Sequence, residues 1–388
     1  MVTLDDWLAD HEAELVELRR TLHRHPELGR LEHETTALLH ARLTAAGLAP
    51  QVLRVGTGVV CDVGTADGPL VVLRADIDAL PVPDEKDVPY RSQVPGVCHA
   101  CGHDVHTAVV MGAGLALAEI GVPGRVRLVF QPAEEQMPGG ALDVLAEGWL
   151  EGAAAVFGLH CDPALDVGRV GLRTGPLTAA ADAVEVLVSG PGGHTSRPHN
   201  TVDLVHVLAE VATGVPAALS RLVDPRAGLA LVWGHISAGI APNAIPREGV
   251  LRGTLRVLDK AAWQQAPELL ERVVHGIVAP YGARATVSYV RGVPPVVNDP
   301  AATALLTAAV RAALGPGAGV PTPQSLGGED FAWYLDHVPG AMARLGVRPP
   351  GTARPVDLHQ GAFDVDEAAI GVGVRVLVAA ALAASQTS

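Results

Sequence analysis

The chain has 388 residues, 48% of them hydrophobic and 18% charged, with a formal net charge of −14. This length exceeds one ordinary core and implies two domains. The apolar content argues against disorder. The acidic balance argues against a nucleic-acid or anionic-membrane surface, both of which need a basic patch. Four cysteines, Cys61, Cys98, Cys101 and Cys161, are too few for a disulfide framework. The first fifteen residues are acidic and amphipathic and lack the basic and apolar regions of a signal peptide. No uncharged apolar run is long enough to span a membrane, so a cytoplasmic location is the expectation.

Apolar residues at helical spacing (Leu8, Leu15, Leu18, Leu22) predict a helix over 5–24, and a second is expected over 32–46, closed by Gly47. Strands are expected at 58–64 and 69–75, the second running into Asp76-Ile77-Asp78. A polar loop leads to Cys98–His106 and a long Ala/Val/Leu helix ending at Ile120. Buried strands are then expected at 125–130, ending in Gln131-Pro132-Ala133-Glu134-Glu135, and at 153–159, ending in His160. Strands alternating with helices, with polar residues at the strands' carboxyl ends, describe an open, mostly parallel α/β sheet whose site lies at those ends.

The pattern changes near Ala180. Val184, Val186 and Val188 share one face of a strand. A helix over 201–215, strands at 229–236 and 250–257, a helix over 261–279 and a strand at 285–290 follow. This β-α-β-β-α-β order suggests an inserted ferredoxin-like α+β domain. Afterwards α/β character resumes, with a helix at 301–314 and a final apolar helix after Ile370. The expected organisation is a catalytic domain over 1–180 and 293–388, interrupted by a domain over 181–292.

The densest chemical feature is Cys98-His99-Ala100-Cys101-Gly102-His103-Asp104-Val105-His106. A structural zinc ribbon would need a second cysteine pair. A redox Cys-x-x-Cys pair or a polar loop capping a helix are open readings, as is a catalytic metal site with Cys101 and His103 on one side of an extended segment. Glu134-Glu135 strengthens the metal reading, because adjacent carboxylates at a buried strand end repel unless a cation is near. One would coordinate the metal and the other act as general base on a metal-bound water. His160 at the next strand end is by itself more often read as structural, and His359 alone carries almost no weight among sixteen histidines. Asp76 is a candidate to orient a ligating histidine through its second nitrogen. The turn Gly190-Pro191-Gly192-Gly193-His194 lacks the Gly-Lys-Ser/Thr ending of a phosphate-binding loop; His194 either polarises a substrate carbonyl or is an ordinary surface histidine.

In this order, Leu22-His23-Arg24-His25-Pro26-Glu27-Leu28, Arg74-Ala75-Asp76-Ile77-Asp78-Ala79-Leu80-Pro81, His99 to Thr107, Gln131 to Glu135, Gly158-Leu159-His160, Gly193 to His199 and Gly328-Glu329-Asp330-Phe331 resemble the aminoacylase and hippurate hydrolase family of binuclear metallopeptidases. The branch most similar holds hippurate hydrolases, N-acyl-amino-acid amidohydrolases and plant indoleacetic-acid–amino-acid conjugate hydrolases. The resemblance covers nearly the whole chain. It implies two divalent cations (Mn, Zn, Co or Ni) on Cys101, His103, Glu135, His160 and His359, with Glu134 as general base. It implies a homodimer formed through the inserted lid domain, with His194 reaching the partner's site to stabilise an oxyanion, and Asn243 and Arg256 contacting the substrate carboxylate. The expected reaction is hydrolysis of an N-acyl amino acid. A dipeptidase or carboxypeptidase of the same architecture, or a silent metal-dependent binding protein, are the alternatives. Cys98 stands where a methionine is usual in that family, and Gln136–Gly140 departs from its pattern beside the site.

Overall fold

The computed structural model describes residues 2–65, 68–352 and 354–386. Two compact units divide the chain. One comprises Met1–Gly175, Val297–Pro323 and Asp330–Ser388; the other comprises Pro176–Val296 and Gln324–Glu329.

The first unit is built on an eight-stranded sheet. Its order is Gln51–Val52, Val59–Gly64, Arg125–Gln131, Leu70–Asp76, Ala153–Asp166, Gly340–Arg348, Val170–Leu172 and Gly319–Pro321. The four central strands run parallel, and antiparallel strands flank them on both sides. Every residue of Leu70–Asp76 is buried, as expected of a strand covered on both faces. Helices Leu4–Arg24, His103–Ile120, Pro300–Leu314 and Ala368–Ala384 pack on one another and on the sheet through a core that includes Leu15, Leu18, Val109, Phe130, Phe157, Leu345, Val374 and Leu377. Fourteen of the eighteen residues of His103–Ile120 are buried, so this helix is enclosed around most of its circumference, with His103, Asp104, His106 and Thr107 as polar groups at its start.

Several features depart from the sequence expectation, two of them in the central sheet. Ala153–Asp166 runs fourteen residues, so His160 sits in mid-strand and not at its end. A central strand, Gly340–Arg348, has no counterpart among the predicted elements. Its glycines, alanines and Arg344 carry little strand propensity, and burial between two neighbours decides its conformation instead.

The second unit contains a four-stranded antiparallel sheet in the order Ala230–Ala238, Glu248–Val257, Ala180–Ser189, Arg284–Val293. With helices Leu204–Leu222 and Lys260–Val278 it forms a split β-α-β sandwich. Val184, Val186 and Val188 are all buried, on the face where Leu208, Val211 and Leu270 are also buried.

Candidate metal centre

The carboxyl ends of the parallel strands gather the chemistry in the first unit. Strand Leu70–Asp76 delivers Asp76 and, two residues on, Asp78. Strand Arg125–Gln131 leads into Glu134 and Glu135, and the long neighbouring strand supplies His160. Cys101 and His103 come together differently from the expectation. Gly102 adopts φ +84 as N-cap of the helix that begins at His103. The pair is therefore brought onto one side by a left-handed turn that glycine takes without steric cost, not by the alternation of an extended segment.

The predicted donors converge. Atoms of Cys101, His103 and His160 lie within 4.8 Å of one another, as do those of Cys101, Glu135 and His359 and those of His103, Glu134 and Glu135. Cys101 belongs to two of these groups. Cys101 Sγ is 3.6 Å from His160 Nε2, which matches the separation of about 3.6 Å between a sulfur and a nitrogen ligand on one tetrahedral zinc. Among the described residues, two donor atoms, His103 Nε2 and Glu135 Oε1, are buried with no hydrogen-bond partner, although His359 Nε2 lies 3.3 Å from the Glu135 oxygen. Orphaned buried polar atoms are costly, and a cation between them would remove that cost. The residues present therefore fit a pair of divalent cations.

The surrounding groups fix which atom each candidate ligand presents. His103 Nδ1–H donates to Asp78 O at 2.9 Å, leaving Nε2 toward the donors. His160 Nδ1–H donates to Cys161 O at 2.8 Å, leaving Nε2 toward Cys101. Such outer contacts set tautomer and ring orientation. Asp76, expected beside a ligating histidine, accepts from His106 Nδ1–H at 2.6 Å and lies 3.7 Å from His103 Nε2. His106 in turn accepts the Cys161 N–H at 2.8 Å. Arg74, fully buried, donates to Asp76, Gln131 and Asp330. Asp78, to which the sequence assigned no role, touches two of the candidate ligands. Its Oδ1 is 3.3 Å from His103 Nδ1 and its Oδ2 accepts the Glu135 N–H at 2.9 Å. Its place two residues after Asp76 was the available signal.

Among the described residues, three non-glycine residues have left-handed φ, and two of them, Ala133 (φ +55) and His359 (φ +63), adjoin or belong to this centre. The conformation costs roughly 1–2 kcal/mol per residue, and such strain concentrates at functional sites. The His359 N–H donates to Ala100 O at 2.8 Å, which ties the turn to the Cys101 loop.

Charges in the cluster are strongly coupled. Burial lowers the proton affinity of His103, but the Asp76 carboxylate and Cys101 outweigh it and hold the imidazole well above its ordinary value. His160 is driven well below its ordinary value by burial, with Arg344 and His106 adding to it and Asp76 opposing it only in part. Burial raises the Cys101 thiol. His359 is pushed up to about 10 by its contacts with Cys101 and Glu135. A bound cation favours deprotonated thiol and imidazole, inverting the directions at Cys101, His103 and His359 and reinforcing that at His160.

His194, Asn243 and Arg256 belong to the second unit. His194 and Asn243 are neighbours there. Gly193–His194 pairs with Ala244–Ile245, and Asn243 O accepts the Thr195 N–H at 3.3 Å. His194 Nδ1 accepts the Ser196 N–H at 3.1 Å, so its proton resides on Nε2. Arg256 is elsewhere. It pairs with Ala181 at the start of strand Ala180–Ser189, whereas the His194 turn follows that strand's end, roughly 25 Å away at the usual rise per residue. Its guanidinium donates to Leu326 O.

The fold and this donor set define a metal-dependent amide hydrolase. The chain belongs to peptidase family M20/M25/M40, whose profile matches residues 72–383. N-acetyl-L-cysteine deacetylase of Bacillus subtilis strain 168 is 40% identical over 367 residues, 94% of this chain and 86% of that protein. The crystal structure of YxeP from Bacillus subtilis, a dinuclear metal-binding peptidase of the M20 family, matches with a TM-score of 0.86 at 34% identity, covering 98% of this chain and 100% of that one. A longer protein of Rhodococcus jostii RHA1 is 50% identical over 368 residues, which make up 95% of this chain and 46% of that protein. This chain thus spans less than half the length of that relative.

Proposed function

We propose that the protein hydrolyses the amide bond of N-acyl amino acids, using two divalent cations held by Cys101, His103, Glu135, His160 and His359. The observation that carries this reading is the pair of donor groups sharing Cys101, with Glu134 beside them. The likeness to an N-acetyl-L-cysteine deacetylase supports the acyl amino acid as substrate class. One thiolate and three imidazoles suit Zn, while the carboxylate admits Mn, Co or Ni.

Bound there, the cations supply Lewis acidity, acidifying a water toward neutrality and polarising the amide carbonyl. The protein's own groups do the rest. Glu134 accepts the proton of the attacking water and returns it to the leaving amine nitrogen. Asp78 keeps the His103 ring and the Glu135 backbone in place. His194, protonated on Nε2, donates to the oxyanion of the tetrahedral intermediate. Asn243 and Arg256 receive the substrate carboxylate. Because these two lie far apart within one chain, they serve a common site only when two copies contribute. That favours a homodimer formed through the second unit. No helix among the described residues is long and apolar enough to cross a membrane.

The test is a panel of N-acetyl amino acids, N-benzoyl amino acids and dipeptides, assayed with added Mn or Zn. Cleavage of the acylated substrates, abolished by a chelator and restored by metal, is expected. Cleavage of dipeptides alone would reassign the substrate class, and activity that survives metal removal would overturn the reading.

A further inference from the structure

Glu32 is the N-cap residue of helix His33–Ala45, yet its side chain makes no capping bond. The exposed donors of that helix are taken by Glu27, whose two oxygens accept the Glu34 and Thr35 N–H groups at 3.0 and 2.8 Å. The Glu32 carboxylate, 0% exposed, is turned instead to a residue 101 positions away. It accepts the Ala133 N–H at 2.7 Å. Ala133 is itself 0% exposed and holds the left-handed φ of +55. The next residue is Glu134, and the one after it is Glu135.

We propose that Glu32 is a positioning residue for the two site carboxylates, acting through the strained turn at Ala133. Without a left-handed residue at this point the chain leaving strand Arg125–Gln131 would continue in a different direction, and the acids would not meet the His103 and Cys101 side. Two buried carboxylates grip alternate amides of the turn, Glu32 the N–H of Ala133 and Asp78 the N–H of Glu135. The same N-terminal segment braces the turn a second time. Gln136 Nε2 donates to Gly29 O at 2.7 Å, and a Cβ at Gly29 would lie 3.1 Å from Ala133 Cα, so the two backbones touch. The turn is closed by the Gly140 N–H on Ala133 O at 3.1 Å. Glu32 has no place in proton transfer on this account. What it supplies to Ala133 is one acceptor oxygen, which a glutamine carbonyl oxygen also provides.

This inference rests on Glu134 and Glu135 having the roles given above, so its test has an arm independent of turnover. The full chain, ¹⁵N-labelled at alanine, is compared as wild type, Glu32→Gln, Glu32→Ala and Glu32→Ala/Ala133→Gly. Amide exchange and metal content are measured along with kcat and KM. In Glu32→Ala the Ala133 amide is expected to exchange about tenfold faster or more, while alanine amides of the core helices stay protected. Its kcat is expected to fall by about tenfold or more with KM nearly constant, the mark of lost transition-state interactions. Glu32→Gln is expected to stay near wild type in both. The double variant is expected to regain part of the lost kcat, because glycine takes the left-handed φ without strain. A merely structural defect from the vacated volume would not respond to glycine at 133. Unchanged Ala133 exchange and unchanged kcat in Glu32→Ala, or a Glu32→Gln variant as impaired as Glu32→Ala, would overturn the proposal. If the wild type cleaves no acyl amino acid, the functional reading fails, and the exchange measurement still decides whether Glu32 holds the turn.

Discussion

Cys101 Sγ lies 3.6 Å from His160 Nε2, and the same sulfur is also grouped with Glu135 and His359. One thiol thus stands between two donor sets that come from five separate positions in the chain. That arrangement makes the ligands unequal in what their loss should do.

Cys101→Ala removes a donor from both sets and is expected to abolish binding of both cations. His160→Ala and His359→Ala each touch one set and are expected to leave one cation bound. Metal analysis of dialysed protein reads this directly as two, one or none per chain.

Asp78→Asn leaves every donor in place. It weakens the contacts to His103 Nδ1 and to the Glu135 N–H. A metal affinity lower by about 10- to 100-fold is expected, measurable by competition with a chelating dye. An affinity equal to wild type would show that Asp78 does not orient the ligands.

Arg19 is buried against Asp104 at 2.7 Å, with Asp364 at 3.1 Å and Glu367 at 3.2 Å. Burial opposes the Asp104 charge, but Arg19 and His23 hold its pKa well below the ordinary carboxylate value. Arg19→Met leaves that carboxylate inside with less compensation. Denaturant unfolding is expected to show a loss of about 3–5 kcal/mol, the range for breaking one partner of a buried ion pair.

Stability should also depend on pH through Asp84 and His23, which face one another at 3.3 Å. Burial tends to raise Asp84, yet His23, the Ser92 N–H and Lys86 hold it below its ordinary 3.8. Its contribution is therefore present above pH 3.8 and lost as pH falls through the depressed native value. Burial tends to lower His23, but Asp104 and Asp84 raise it above its ordinary 6.5. Its contribution is complete below pH 6.5 and lost as pH climbs through the raised native value. The destabilisation caused by Asp84→Asn should be greatest between those two limits. Unfolding midpoints across pH check this, and a pH-independent difference would contradict it.

Cys101, His103, Glu134 and Glu135 were legible because each pair is local, and each combines ligand-type residues at a turn beside buried strands. Asp76 was legible as a strand-end acid, but its partner was not. His106 rather than a metal donor takes its Oδ1, and helix phase decides that. Glu32 carried no local signal, since an acid before a helix is ordinary and its meaning depends on an amide 101 residues away. The strand Gly340–Arg348 was hidden for a related reason. Its small residues state no preference, and only the neighbours Ala153–Asp166 and Val170–Leu172 impose one. The antiparallel unit was read well because Val184, Val186 and Val188 write the two-residue period openly.

On the proposed mechanism Glu134 transfers the proton at a two-cation centre. The most direct measurement is metal content and kcat of Glu134→Gln with an N-acyl amino acid the wild type cleaves. Two cations per chain with kcat reduced by about 10²- to 10⁴-fold is the predicted result. Full metal content with a wild-type kcat would contradict it.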